Sequence, residues 1–398
     1  MERKAKRRVP RRIDGIETKN RIKMAAIELF SNSNFSSVSI SQITKKADLS
    51  AGAFYQYYMN KEELFREIVE EFFQQLEASI VGDTLSKSGV GFLEFCKANT
   101  KLVKVVHLNE YFFEWIRNEF EAILRKVSKR FGLTSVGHFY FWSPLRFIAA
   151  FSDLVEAEVD SEDFVKFVMI GPVNGSVENV PQKAFNFTPE RHVIEIDERR
   201  EQILANAETL FGMYGYEKTQ VYDIVRACGM AVGTFYLYFN NKLEVLHELV
   251  RWISKGLRYN VKLAVEKCKD CPRLVQEIAG LYAFVKFFKM HFNMYRIVRE
   301  SQSIDFKIAK EYYSSIYHPY TVALNKAIEE GKLNLKMFGL DREKLVSYLT
   351  LMLMSYGHFI GERFLLSGVI DEQDNVELEK FLEELFVYIC TGLEDVHL

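Results

Sequence analysis

Residues Arg21 to Glu70 read RIKMAAIELFSNSNFSSVSISQITKKADLSAGAFYQYYMNKEELFREIVE. Residues Gln202 to Arg251 read QILANAETLFGMYGYEKTQVYDIVRACGMAVGTFYLYFNNKLEVLHELVR. The two align without a gap at an offset of 181, since Phe30 falls on Phe211. Gly52-Ala53-Phe54-Tyr55 then falls on Gly233-Thr234-Phe235-Tyr236, and Asn60-Lys61 on Asn241-Lys242. A repeat at that spacing is a duplicated domain, not a short solenoid unit.

Both copies read as helices. Ile22, Ala26, Leu29 and Phe30 lie at i, i+4, i+7 and i+8, and Ile203, Ala207, Leu210 and Phe211 repeat that spacing, which is one apolar helix face. A polar turn follows, then a short helix around Ile40 to Ala47, with its equal around Val221 to Cys228. Ser39 and Gln42 have capping-box spacing at its start. A turn at Asp48-Leu49 or Gly229-Met230 leads to a second short helix, Ser50 to Tyr57 or Ala231 to Tyr238. Two short helices joined by a tight turn form a helix-turn-helix. Asn60-Lys61 then opens a long helix carrying Leu64, Phe65, Ile68 and Phe72.

The expected organisation is all-α: a basic arm (1–20), a first helix-turn-helix domain (21–70), a first helical core (71–170), a linker (171–196), a second helix-turn-helix domain (197–246) and a C-terminal core (247–398). Short strands are expected near the linker, at Phe139–Trp142 and His192–Ile196. Lys344 to Leu366 and Val376 to Leu393 read as two long apolar helices, and Phe92 to Phe131 as helical.

With 398 residues, 48% of them hydrophobic, the chain has room for two to four domains with sizeable cores. Its net charge is −2, so any nucleic-acid contact must come from local charge. Such charge exists at the start, where Arg3, Lys4, Lys6, Arg7, Arg8, Arg11 and Arg12 face a single acid, Glu2. Taken alone the run is a solvated tail. Placed before a DNA-binding module, it reads as an arm for phosphates or the minor groove, with Arg7, Arg8, Arg11 and Arg12 as contacts. Five cysteines suit a reducing cytoplasm. Cys268-Lys269-Asp270-Cys271 is a lone CxxC without a second pair, so neither metal nor cofactor is expected. No Gly-rich phosphate loop or nucleophile elbow stands out, and no enzyme is expected.

Both copies resemble the N-terminal domain of the TetR/AcrR family of bacterial transcription regulators. The resemblance rests on Ala25-Ala26 or Asn206-Ala207 before Leu-Phe, on a loop ending at an aromatic (Phe35, Tyr216), and on Gly-x-Phe-Tyr-x-Tyr followed by Asn-Lys. It implies a cytoplasmic, sequence-specific DNA-binding regulator, commonly a dimeric repressor released by a small molecule. The family carries one such module per chain, whereas this chain has two.

A recognition helix must fit the major groove, so its outward residues should be small or able to contact bases. In the first copy these are Ser50, Ala51, Ala53 and Gln56, with Gln56 suited to adenine, the alanines to thymine methyls, and Gly52 to close backbone approach. The resemblance assigns Tyr55, Tyr57 and Lys61 to phosphates. Ser39, Ser41 and Thr44 on the preceding helix add short hydroxyls. In the second copy the phosphate set is Tyr236, Tyr238 and Lys242, with Arg226, Thr219 and Tyr222 nearby. Its outward positions are Ala231, Val232, Thr234 and Leu237. Two readings stand for it: a different half-site read through thymine methyls, or a structural or protein-contact role.

The C-terminal core is expected to enclose a pocket for a hydrophobic effector, since ligands of helical bundles lie between helices. Candidates are Phe284, Phe288, His291, Tyr295, Arg299, Tyr313, Tyr317 and Tyr356, with Phe287, Tyr312, Tyr320 and His358 beside them. Such an aromatic stripe also suits a solid core, and a DNA-binding or architectural protein without effector is the alternative. Assembly is expected as a homodimer through Lys344–Leu366 and Val376–Leu393, the first core appearing too short and irregular to supply an equivalent pair. The other arrangement is a single-chain pseudo-dimer.

Overall fold

The computed structural model describes residues 13–110, 112–175, 179–190, 197–336, 338–365 and 372–393. The fold is all-α. Among the described residues there is no strand, only an isolated bridge between Val173 and Leu335. Arg7, Arg8, Arg11 and Arg12 of the arm and His192–Ile196 lie outside the described residues. The chain forms two compact units, one up to Lys129 and the other from Arg130.

The first unit holds α1 (Ile13–Phe30), α2 (Ile40–Lys46), α3 (Ala51–Tyr57), α4 (Lys61–Ser79), α5 (Leu85–Ala98), α6 (Thr100–Glu110) and α7 (Glu114–Arg130). Helix starts follow the caps. Ser39 and Gln42 form a reciprocal capping box on α2, Ser50 accepts from the Ala53 amide on α3, and Asn60 from the Glu63 amide on α4. The turn between α2 and α3 requires a left-handed residue, which is Asp48 here (φ 53°) and Gly229 at the same point of the second copy (φ 66°). Ile22, Ala26, Phe30, Ile43, Phe54 and Leu64 form the buried centre.

The second unit holds α8 (Ser135–Val155), α9 (Ser161–Ile170), a 3₁₀ turn at Gln182–Phe185, α10 (Glu198–Tyr214), α11 (Val221–Ala227), α12 (Val232–Phe235), α13 (Lys242–Lys267), α14 (Arg273–Met290), α15 (Phe292–Ile304), α16 (Phe306–Glu329), α17 (Arg342–Leu365) and α18 (Glu372–Thr391). Its helix-turn-helix repeats the first centre with Ile203, Ala207, Phe211, Ile224, Phe235 and Val245. Each repeat thus contributes nine α-helices among the described residues, in one order.

Four expectations change. Phe139–Trp142 is not a strand but the second turn of α8, where Phe139, Tyr140, Phe141 and Trp142 are all buried. A run buried on every side loses the periodicity that separates helix from strand. The first core does not stay together over 71–170, because α8 and α9 belong to the second unit. Nor does it lack a closing pair of helices. α8 is 21 residues long and packs on α16, α17 and α18. Finally, the described part of 171–196 is more than a tether. Phe185 and Phe187 are buried, and Phe185 meets Tyr282 of α14 edge-on.

Candidate DNA-binding modules and effector cavity

In the first module, α3 displays Ser50, Ala51, Gly52, Tyr55 and Gln56 to solvent, with Ala53 and Tyr57 half-buried. Phe54 and Tyr58 are buried beneath, and the Tyr58 hydroxyl donates to Glu67 of α4 (3.2 Å). Ser39 and Ser41 are exposed on α2. Thr44 is not: it is 3% exposed, its hydroxyl donating to the Ser41 carbonyl. In the second module Thr219 is likewise buried, its hydroxyl donating to the Leu210 and Gly215 carbonyls. Both threonines spend their hydroxyls inside, which corrects their expected phosphate contacts.

Lys61 also turns inward. Its ammonium donates to the carbonyls of Phe35 (2.6 Å) and Val38 (2.5 Å) and sits over the Phe35 ring. Lys242 does the same with Tyr216 (2.7 Å) and Thr219 (2.8 Å), over the Tyr216 ring. Burial holds both lysines below the ordinary lysine pKa. Each closes the loop after α1 or α10 onto the start of the long helix, so these charges are engaged within the module instead of facing phosphates.

A second clamp holds the amide of the same aromatic. The Phe35 amide donates to Oδ1 of Asn109 on α6 (2.8 Å), and the Tyr216 amide donates to both carboxylate oxygens of Glu300 on α15 (3.1 Å). The first copy uses a neutral acceptor and the second an acid. Burial pushes the Glu300 carboxyl above its ordinary range, even though it accepts that amide.

The second recognition segment differs. Instead of reaching Tyr238, α12 spans only Val232–Phe235, and i→i+3 bonds follow, Leu237 to Thr234 and Tyr238 to Phe235. Ala231 cannot cap as Ser50 does, and β-branched Val232 and Thr234 flank Gly233, all unfavourable to a longer helix. Its surface is apolar: Leu237 is 79% exposed, with Val232 and Tyr236 also outward, beside the exposed Tyr222 of α11. Arg226 is exposed, whereas Thr234 and Tyr238 are half-buried.

The C-terminal core holds a half-open cavity of about 410 Å³ bounded by α13 to α17. Of the expected contacts, Phe284, Phe288, Tyr295, Arg299, Tyr313 and His358 line it, as do Tyr312 and Tyr320. His291, Tyr317 and Tyr356 do not. His291 packs on Trp252 and Phe287, the Tyr317 hydroxyl meets Ser347 (2.8 Å), and Tyr356 lies against α8. Sequence reasoning missed the apolar walls, Leu257, Val261 and Val265 of α13 and Leu281 of α14. Their i, i+4, i+8 spacing on α13 was the available signal.

The cavity is apolar along its length, with two polar groups of residues. At one, Arg299 pairs with Glu362 and reaches His358, whose Nδ1 lies 3.1 Å from the Tyr313 hydroxyl. At the other, Arg273 donates to Glu277 (2.7 Å), which also accepts from Tyr320. Burial raises the pKa of the Tyr295, Tyr313 and Tyr320 hydroxyls, keeping them protonated and able to donate. Gly361 makes the wall at Tyr295 feasible, since a Cβ there would meet that ring at 2.7 Å.

The model of the family described as "Bacterial regulatory proteins, tetR family" matches the chain at residues 22–68 and again at 203–249. The chain carries the helix-turn-helix domain of that family in duplicate. It is accordingly a helix-turn-helix, DNA-binding protein of transcription regulation. The uncharacterized HTH-type transcriptional regulator YerO of Bacillus subtilis is 24% identical over 212 residues, 50% of this chain and 65% of YerO. The HTH-type transcriptional regulator EthR of Mycolicibacterium smegmatis is 28% identical over 196 residues, 48% of this chain and 83% of EthR. Among solved structures, a putative TetR-family regulator from Syntrophomonas wolfei is similar at 19% identity and a TM-score of 0.41, covering 50% of this chain and 98% of that one. The fatty acid degradation regulator FadR of Bacillus halodurans is similar at 17% and 0.40, covering 50% and 99%. No helix of the described residues is long and apolar enough to cross a membrane.

Proposed function

We propose that the protein is a transcriptional repressor released from its operator by an apolar small molecule bound in the C-terminal cavity. The observation that carries this reading is a pair of consecutive residues on α15. Arg299 lines the cavity, and Glu300 holds the Tyr216 amide of the second DNA-binding module. A ligand that rotates or shifts α15 therefore acts on both at once. Release requires only that the ligand favour the α15 position in which the module is not set for DNA.

The cavity supports an effector with an apolar body and at least one polar end, the latter for Arg299, His358 and Tyr313. A DNA-binding protein without effector would leave this space without use. The test is a thermal-shift screen of amphipathic compounds, since a ligand of the folded state raises Tm. The stabilising compounds are then added to the protein–DNA complex. Stabilisers that lower DNA affinity support the reading, and stabilisers that leave it unchanged sink the release mechanism.

A further inference from the structure

The last two helices of each repeat pack against those of the other. α8 and α9 are the eighth and ninth helices of the first repeat, α17 and α18 those of the second. Tyr140 of α8 stacks on Tyr356 of α17 (ring centroids 5.9 Å) and on Tyr388 of α18 (5.4 Å). The reciprocal contact is present too. Tyr348 of α17 meets Phe164 of α9 edge-on (5.0 Å), and its hydroxyl oxygen accepts from the Asp160 amide (3.0 Å). Lys344 of α17 pairs with Asp163 of α9 (2.6 Å).

Eighth helix on eighth helix, with each eighth on the other's ninth, is the pattern of a two-fold isologous interface. Here one chain makes it with itself. Fifteen of the 21 residues of α8 and eighteen of the 24 of α17 are buried without any second chain. The apolar face expected to join two chains is thus covered from within.

The two recognition segments attached to this pseudo-symmetric bundle are chemically unlike. One displays Ser50, Ala51 and Gln56, the other Ala231, Val232 and Leu237. Glutamine reads adenine by a bidentate pair, whereas valine and leucine read only methyls and shape.

We propose that a single chain is the complete DNA-reading unit, and that its operator is asymmetric, with two unlike half-sites each read by one module. This rests on the DNA-binding reading above and departs from a symmetric dimer on a palindrome.

Two measurements on the full chain test it. Sedimentation equilibrium across micromolar concentrations is expected to give the mass of one chain. Random-site selection is expected to enrich a non-palindromic duplex bound one to one. Gln56→Ala should then relax base preference in one half-site by about tenfold, and Leu237→Ala in the other only, each bidentate or methyl contact acting locally. Both side chains are exposed, so folding is preserved and is checked by Tm. A two-chain mass, or a palindrome of one half-site unaffected by Leu237→Ala, overturns the single-chain proposal while leaving DNA binding intact. Failure of a folded, one-chain protein to enrich any sequence overturns the DNA reading and this proposal with it.

Discussion

The hydroxyl of Tyr356 donates to the carbonyl of Tyr140 across 3.2 Å of buried interior. That carbonyl needs an outside donor because Pro144, four residues on, has no N–H to supply the helical bond. α17 thus completes the hydrogen bonding of a helix from the other repeat.

Removing that hydroxyl should orphan a buried acceptor. Tyr356→Phe is expected to cost about 1–3 kcal/mol in urea unfolding. Pro144→Ala restores the backbone donor, so the double variant Tyr356→Phe with Pro144→Ala should recover most of the loss. Additive costs in that cycle would argue that the Pro144 gap is filled by other means.

Lys61 offers a distinction between a phosphate contact and a structural clamp. With its ammonium on the Phe35 and Val38 carbonyls, Lys61→Ala should cost about 1–3 kcal/mol of stability. The salt dependence of DNA binding should keep its slope, whereas loss of one phosphate contact lowers that slope by about one. A reduced slope at unchanged stability would show the reverse assignment.

Glu300 predicts a pH dependence. Its folded-state pKa is raised by burial, so the folded protein binds that proton more tightly than the unfolded chain. Its contribution to stability is therefore full below about pH 4.3, the unfolded value, and is lost as pH rises through the folded value. Glu300→Gln keeps an acceptor for the Tyr216 amide without the buried charge. Its Tm should match the parent at low pH and exceed it at pH 7, and equal Tm values across that range would refute the assignment.

Two glycines of α17, one helical turn apart, should respond in opposite ways. At Gly357 a Cβ finds ordinary contacts with Leu281 and Phe284 at 3.7 and 3.9 Å, so Gly357→Ala should be tolerated and should only trim the cavity. At Gly361 it collides with the Tyr295 ring, so Gly361→Ala should cost about 1–3 kcal/mol by overpacking. Chemical denaturation of the two variants, with a cavity-binding dye as second readout, checks the pair.

The helix-turn-helix modules were legible because their evidence is local. Apolar spacing at i, i+4, i+7 and i+8 sets α1 and α10, and Ser39, Ser50 and Asn60 mark the helix starts. The short α12 could be suspected from Ala231 where a cap was needed. α8 was not legible. Phe139-Tyr140-Phe141-Trp142 is covered on every side, and complete burial removes the alternation from which a period is read. The cavity was half legible for a related reason. Phe288 and Tyr356 are alike as buried aromatics, and only the packing of α8 decides that one faces a void and the other a neighbouring helix. The inward turn of Lys61 was hidden too, since a lysine after an asparagine cap looks the same whether it meets phosphate or carbonyls.

The covalent link between α8–α9 and α17–α18 also changes the arithmetic of dosage. A bundle assembled from separate chains forms in proportion to the square of their concentration, and mixed with a damaged copy it yields damaged hybrids. Within one chain that step becomes intramolecular, with an effective concentration set by the connecting chain and not by what the cell contains. If one chain reads its operator alone, as proposed, occupancy follows gene expression in a first-order way from the first molecules made. A faulty allele would then not poison a sound one, and either half would be free to drift in sequence without its drift being copied onto the other.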